Sequence, residues 1–263
     1  MKISALVLDL DGTLLDSQKQ VSERSKQAVL ACHRRGLSII YATTRPPRAV
    51  RELLPEELYA VGSFIYYNGA FIRSPLDGEE YHFPIEKELF GAFLDHCLDI
   101  APNVEFSIEV KDEWFSLGDV EYAVVARRKS HPIRKAIHEL KEHHPTKILL
   151  TSIDETAVTA LASSFSSRLN IVITDGGKLI QIMSLSASKE AGVQLLCAKL
   201  GLNMSDLLVF GDDYNDLGLL QAAGYSVAMG NAPLDVQEAA NEVTLTNDED
   251  GVSIVLDRIL ADL

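Results

Sequence analysis

The stretch LVLDLDGTLLDS, residues 6–17, decides how the rest of the chain is read. Apolar or small residues (Ile3, Ala5, Leu6, Val7, Leu8, Leu10) run into it as a buried strand, and Asp9 and Asp11 stand at its end. Residues two apart on a strand point to the same side. Two carboxylates on one side repel each other, and burying either without a partner is expensive. Something elsewhere in the chain must offset that cost.

The totals narrow the search. A chain of 263 residues, 47% of them hydrophobic, suits a globular protein of one large or two modest domains. Its net charge of −14 argues against a nucleic-acid or anionic-membrane partner. The same charge requires that an anionic substrate meet local positive charge at its site. Asp9 and Asp11 interrupt the apolar start too early for a signal peptide, and no uncharged stretch is long enough to span a bilayer. Cys32, Cys97 and Cys197 are far apart with no CxxC spacing, which disfavours a disulfide frame or structural zinc and fits a reducing cytoplasm.

Working outward, SERSKQAVLACHRRG (22–36) reads as a helix with Ser22 as cap and Gly36 as terminator. LSIIYAT (37–43) is a second strand, Pro46-Pro47 opens another helix, and SFIYYNGA (63–70) is a third strand ending in a turn. Strands apolar on both faces that alternate with helices indicate an α/β fold, a doubly wound parallel sheet. From about Pro84 to Ile180 the grammar changes. Shorter strands (VEFSIEV, EYAVVAR, KILLTS, NIVITD) mix there with polar helices around 86–99, 132–144 and 154–168. This segment reads as an inserted α/β domain over 83–182, with 1–82 and 183–263 forming the core. The earlier pattern returns with SKEAGVQLLCAKLG, strand LLVFGD (207–212), YNDLGLLQAAG, strand YSVAMG (225–230) and a last helix GVSIVLDRIL.

Four clusters fall at strand ends or helix starts, where open α/β sheets bind ligands. They are Asp9–Thr13, Thr43–Arg45, Lys189, and Asp212-Asp213-Tyr214-Asn215-Asp216, with Asp216 one turn beyond Asp212. A divalent cation between Asp9 and Asp212 would offset the opening cost, and hard oxygen ligands suit Mg²⁺. Because Mg²⁺ takes up phosphate oxygens, the sheet end becomes a phosphate site. Lys189 adds a point charge there, and Thr43, Thr44 and Asn215 add donors. One carboxylate can attack phosphorus, and another can carry the proton of the leaving oxygen and then of water.

The set DLDGTLLDS, ATTRP, SASKEAG and GDDYND resembles the haloacid-dehalogenase superfamily of phosphotransferases, in the same order along the chain. AAGYSVAMGNAPLDVQEAANEVTLTNDEDGV is similar to the tail of its Cof-type sugar-phosphatase branch, which has a class IIB cap; the insert matches that cap by position and length only. The resemblance implies a Rossmann-like core with Asp9 as nucleophile and Mg²⁺ ligand. It implies Asp11 as general acid/base with its backbone carbonyl on the metal, Asp212 as the third protein ligand, and Asp213 and Asp216 as supporting carboxylates. Thr43 and Lys189 would bind the phosphoryl group, assisted by Asn215 and the backbone N–H groups of Leu10 and Thr44. Three departures stand out: the branch usually has glycine at Thr44, and often glutamate at Gln181 and proline at Ser184.

Plainer readings of the same residues fit less well or concern other positions. An EF-hand would need glycine at Leu14 and a bidentate acid at Gln20. HELKEHH (138–144) lacks histidines four apart, so a charged helix face is expected rather than zinc. Arg45 and Arg48 are expected to be solvated, Asp248, Glu249 and Asp250 to cap the final helix, and Trp114 and Phe115 to pack in a core. Asn68-Gly69 is expected as a tight turn.

The function expected is Mg²⁺-dependent hydrolysis of a small phosphomonoester through an aspartyl phosphate, in the cytoplasm, with an inserted cap that excludes water and selects the leaving group. A phosphosugar mutase with the same nucleophile and a non-enzymatic binding protein on this fold are the alternatives. The motifs carry no oligomeric signal.

Overall fold

A computed structural model describes residues 3–76, 78–120 and 131–262. They divide into two compact units, Met1–Tyr81 with Ser188–Leu263, and His82–Ala187.

In the first unit the apolar runs form β1 (Ala5–Leu8), β2 (Ser38–Ala42) and β3 (Gly62–Tyr66). A hairpin then adds β4 (Phe71–Ser74) and β5 (Glu79–His82). The sheet is completed from the far end of the chain by β12 (Leu207–Gly211), β13 (Tyr225–Ala228) and β14 (Glu242–Val243). Its order is β14-β13-β12-β1-β2-β3-β4-β5. β1 lies between β12 and β2, parallel to both, with Leu6 opposite Leu208 and Ile39. β4 runs antiparallel to β3 and gives the sheet an antiparallel edge. Leu6, Leu8, Val7, Ile39, Ile40, Val209 and Phe210 are all buried, as a strand covered on both faces requires.

Two helices of this unit start where a serine side chain can satisfy a free N–H group. Ser22 caps Glu23–Arg34 by accepting from the Ser25 amide, and Ser188 caps Lys189–Leu200 by accepting from Ala191. The second of these buries Lys189, Gly192, Val193, Leu196 and Cys197, the spacing of one helix face. Gly201 ends it in the left-handed conformation.

Two of the three acids before the final helix, Gly251–Asp262, bond away from it through their side chains. Asp248 accepts from the Ser17 amide (2.7 Å) and Asp250 from the Ser22 hydroxyl (2.5 Å), so these carboxylates tie down the loop after β1. Only Glu249 acts locally, closing a capping box with Thr246 over a single 3₁₀ turn.

The second unit is a six-stranded sheet of order β10-β11-β9-β6-β7-β8. Its strands are β6 (Glu105–Val110), β7 (Glu113–Ser116), β8 (Ile133–Arg134), β9 (Lys147–Thr151), β10 (Leu169–Thr174) and β11 (Leu179–Ser184). Helices Lys87–Ile100 and Glu155–Phe165 supply Phe90, Phe93, Leu94, Leu161 and Phe165 to a core shared with Phe106, Ile108, Ile148, Leu150, Ile180 and Ile182. Alternation puts Ser107, Glu109, Lys147 and Gln181 on the opposite face, where Lys147 donates to the Gln181 amide oxygen (3.0 Å). Ser184, at the end of β11, pairs its hydroxyl with that of Ser186.

The expected strand EYAVVAR (121–127) lies outside the described residues. The expected helix over 132–144 is only one turn, Ile137–Leu140. The chain before it is drawn into the sheet as β8 beside β7, and His143 leaves the helical path to stack on Phe115 at 4.6 Å. Trp114 and Phe115 are buried. Strands β4, β5, β7, β8 and β11 had no clear signature in the sequence.

Phe93 is fully buried, edge-on to Phe165 (5.1 Å) and tilted against Phe106 (6.5 Å). Phe93→Ala should therefore cost about 3–5 kcal/mol in a denaturant titration. A loss under about 1 kcal/mol would mean that this cluster is not the core of the second unit.

Candidate active site

The carboxyl ends of β12, β1 and β2 are neighbours at the centre of the first sheet. Adjacent strands lie only about 5 Å apart, so residues far apart in the chain converge there. Asp9 follows β1 directly and donates its amide to the Phe210 carbonyl of β12 (3.2 Å). The loop then folds back, with the Thr13 and Leu15 amides on the Leu10 carbonyl (3.3 and 2.8 Å). Gly12 has φ +81°, and a Cβ there would lie 2.1 Å from an Asp212 oxygen. Only glycine permits that approach of the first loop to the fourth.

Asp9, Asp212 and Asp216 each place a carboxylate oxygen within 4.8 Å of the others. Lys189, 1% exposed, donates to Asp9 (2.6 Å) and Asp216 (2.7 Å). The second Asp216 oxygen accepts from the Asp212 and Asp213 amides (3.1 and 3.2 Å), which fixes the fourth loop against the lysine. Asp216 thus belongs to the carboxylate trio itself, while Asp213 is exposed.

Thr43 is fully buried, its amide on Ile65 (2.8 Å) and its hydroxyl accepting from the Arg45 amide (3.2 Å). Thr44 is half-buried and is not among the residues with left-handed backbone, so this turn needs no glycine. Asn215 points its amide group at the Asn68 side-chain oxygen (3.1 Å).

Asp11 stands apart from the trio. The Arg45 guanidinium grips both its oxygens, Nε on Oδ2 (2.5 Å) and Nη2 on Oδ1 (2.6 Å), and Lys19 donates to Oδ1 (2.9 Å). The expectation that Arg45 is solvated is therefore wrong: the forked ion pair draws its side chain in to 18% exposure.

Electrostatics separates the carboxyls. Burial raises the Asp11 pKa, but the Arg45 and Lys19 bonds outweigh it and bring the group down to about 2. Burial pushes Asp9 well up, aided by the charges of Asp216 and Asp212 and opposed by Lys189. Asp212 rises to about 6 through burial and its neighbours Asp216 and Asp213, with Thr13 and Lys189 pulling back. The Lys189 ammonium is favoured by Asp216 and Asp9 against its burial. One ammonium cannot neutralise three carboxylates, and that surplus of hard oxygen donors fits a divalent cation.

Four further residues make contacts here that had no signal strong enough to assign from the sequence. Thr13 donates to Asp212 (3.0 Å), and Asn231 donates to the Gly12 carbonyl (2.9 Å) and to Asp212 (3.3 Å). Asn247 links the same region to the Leu15 carbonyl (2.8 Å). Asn68 donates its amide to the Thr43 carbonyl (2.9 Å). Thr13 and Asn231 lie inside stretches already singled out, which is the clue that was available.

Comparison with known proteins gives the family and the fold. Residues 6–256 match the family described as haloacid dehalogenase-like hydrolase. The chain is 27% identical over 259 residues to 5-amino-6-(5-phospho-D-ribitylamino)uracil phosphatase YitU of Bacillus subtilis, covering 94% of each. It superimposes on TM0651 from Thermotoga maritima with TM-score 0.87, 26% identity and 97% of each chain covered. The fold is also that of the HAD subclass IIB sugar phosphatase BT4131, with TM-score 0.80, 23% identity, and 97% of this chain and 98% of that one covered.

The raised Asp212 pKa makes metal-free stability depend on pH. Between about pH 4 and 6 the unfolded carboxyl ionises while the folded one keeps its proton, so stability falls by on the order of 3 kcal/mol across that window. A divalent cation binds the ionised form and returns this stability. Adding Mg²⁺ should thus raise the Tm clearly at pH 7.5 and little at pH 5 by calorimetry. Equal shifts, or none at pH 7.5, would remove the trio as a cation site.

Proposed function

The chain belongs to the haloacid dehalogenase-like hydrolases, and on that premise we propose that it is a Mg²⁺-dependent phosphatase of small phosphomonoesters working through an aspartyl phosphate. The observation that carries the reading is the convergence of Asp9, Asp212 and Asp216 around the buried Lys189 at the carboxyl end of the sheet. Four carboxylates there (Asp9, Asp11, Asp212, Asp216) meet three cations (Lys19, Arg45, Lys189). A dication reverses the sign of that balance and makes the place fit for a phosphate dianion.

Mg²⁺ would be held by Asp9, Asp212 and the Asp11 carbonyl, with Asp216 and Asp213 in support, and would supply neutralisation of the phosphoryl charge. Thr43 and Lys189 hold the transferred phosphoryl group, with the Leu10 and Thr44 amides and Asn215 assisting. Lys189 also fixes one Asp9 oxygen, which orients the carboxylate for attack. The Asp9 oxygen forms a bond to phosphorus as the ester P–O bond breaks, and Asp11, having taken up a proton from solvent once its ion pair with Arg45 opens, passes it to the departing alkoxide. Asp11 then takes a proton from water, whose oxygen displaces Asp9 from phosphorus and releases inorganic phosphate.

The unit Met1–Tyr81 with Ser188–Leu263 would carry this chemistry, and the insert His82–Ala187 would choose the leaving group. A relative whose name specifies a phosphorylated ribitylamino-uracil supports small organic phosphates as substrates. Among the described residues no helix is long and apolar enough to cross a membrane, and Cys32, Cys97 and Cys197 are free thiols, which supports a cytoplasmic location.

A panel of sugar phosphates, nucleotides, flavin mononucleotide and pyridoxal phosphate should release phosphate only when Mg²⁺ is present. Asp9→Asn should lower the rate by about a thousandfold or more, because the amide cannot form the acyl phosphate. Turnover persisting in that variant, or activity that needs a bisphosphate activator, would refute the hydrolytic reading.

A further inference from the structure

The Asp11 carboxylate cannot handle a proton while both its oxygens are engaged by a guanidinium fork. Of its two partners, Lys19 is half exposed and water can solvate it when it leaves. Arg45 is mostly buried, and a buried guanidinium without an anion is costly. Its backbone is pinned: the amide donates to the Thr43 hydroxyl, the carbonyl accepts from Tyr67 (3.4 Å), and Pro46 follows. That leaves the side chain as the freer part, and the amide of the same residue lies on the hydroxyl of Thr43 (3.2 Å).

Resting on the phosphatase reading above, we infer that Arg45 anchors the phosphoryl group. Its guanidinium exchanges the Asp11 carboxylate for the phosphoryl oxygens of the ligand, and thereby frees Asp11 when the site fills. The planar fork that fits a carboxylate fits two phosphoryl oxygens equally well, and a dianion attracts it more strongly than a monoanion. The free enzyme then keeps its proton carrier occupied, and the ligand's own charge releases it. Thr43 and Arg45 become two contacts of one loop to one phosphoryl group.

Removing Arg45 alone would leave Asp11 unpaired and confuse two effects, so the test is made without the Asp11 charge. Inorganic phosphate is titrated calorimetrically, with Mg²⁺ present, into Asp11→Asn and into the double variants D11N/R45Q and D11N/R45K, each first checked for cooperative thermal unfolding. The neutral pair in D11N/R45Q strands no buried charge, so folding should survive. A phosphate contact predicts that D11N/R45Q binds at least about tenfold more weakly than D11N, with D11N/R45K between them because it keeps the charge without the fork. A smaller loss would mean that the guanidinium serves Asp11 alone, and would overturn the inference while leaving the phosphatase reading intact. No phosphate binding by the wild-type protein or by D11N would take down both.

Discussion

The Lys189 ammonium is the interaction on which the first unit depends. It reaches Asp9 across 180 positions of sequence and Asp216 across 27, and it does so with almost no exposure to water. Breaking a buried pair by removing one partner typically costs 3–5 kcal/mol, since the remaining charge cannot be hydrated. The lysine therefore joins three segments at once: the strand that opens the chain, the helix that follows the insert, and the loop after β12. The Ser188 cap and the Gly192 contact with Ile65 set that helix in place, so local capping and close packing aim the charge.

A second device acts on the same loops. Tyr67, Asn68 and Gly69 are consecutive residues with positive φ. For the two non-glycines that conformation costs roughly 1–2 kcal/mol each. The surroundings compensate: Asn68 bonds the Thr43 carbonyl and receives the Asn215 amide, Tyr67 bonds the Arg45 carbonyl, and a Cβ on Gly69 would lie 2.2 Å from the Ser188 carbonyl. The strained turn thus touches the second loop, the fourth loop and the cap of the Lys189 helix. Residues of the site are held in register by backbone geometry as well as by charge.

The legible parts of the sequence were those governed by local periodicity. Buried parallel strands write continuous apolar runs, and the residues just after them are the ones a sheet can bring together; hence Asp9, Thr43 and Asp212 could be picked out, and Lys189, at a helix start, only by its place beside them. Thr44, where the resemblance led to an expectation of glycine, does not enter left-handed space. Arg45 was misjudged because its partner is 34 positions away, and no periodicity reports a side-chain pair at that distance. The insert was harder throughout. Most of its strands are polar on one face and pair antiparallel, and the one-turn helix at Ile137–Leu140 loses its neighbours to sheet pairing and to the stack of His143 on Phe115.

The position of β1 has a consequence for biosynthesis. Its partner β12 begins two hundred residues later, so the strand bearing Asp9 leaves the ribosome with one hydrogen-bonding edge exposed. At about 5–20 residues per second that exposure lasts ten seconds or more. The insert, by contrast, is contiguous from His82 to Ala187 and can complete its own sheet while the strand still waits. Nascent chains halted before β12 would display an apolar, unpaired edge of the kind that chaperones retain and that aggregates recruit.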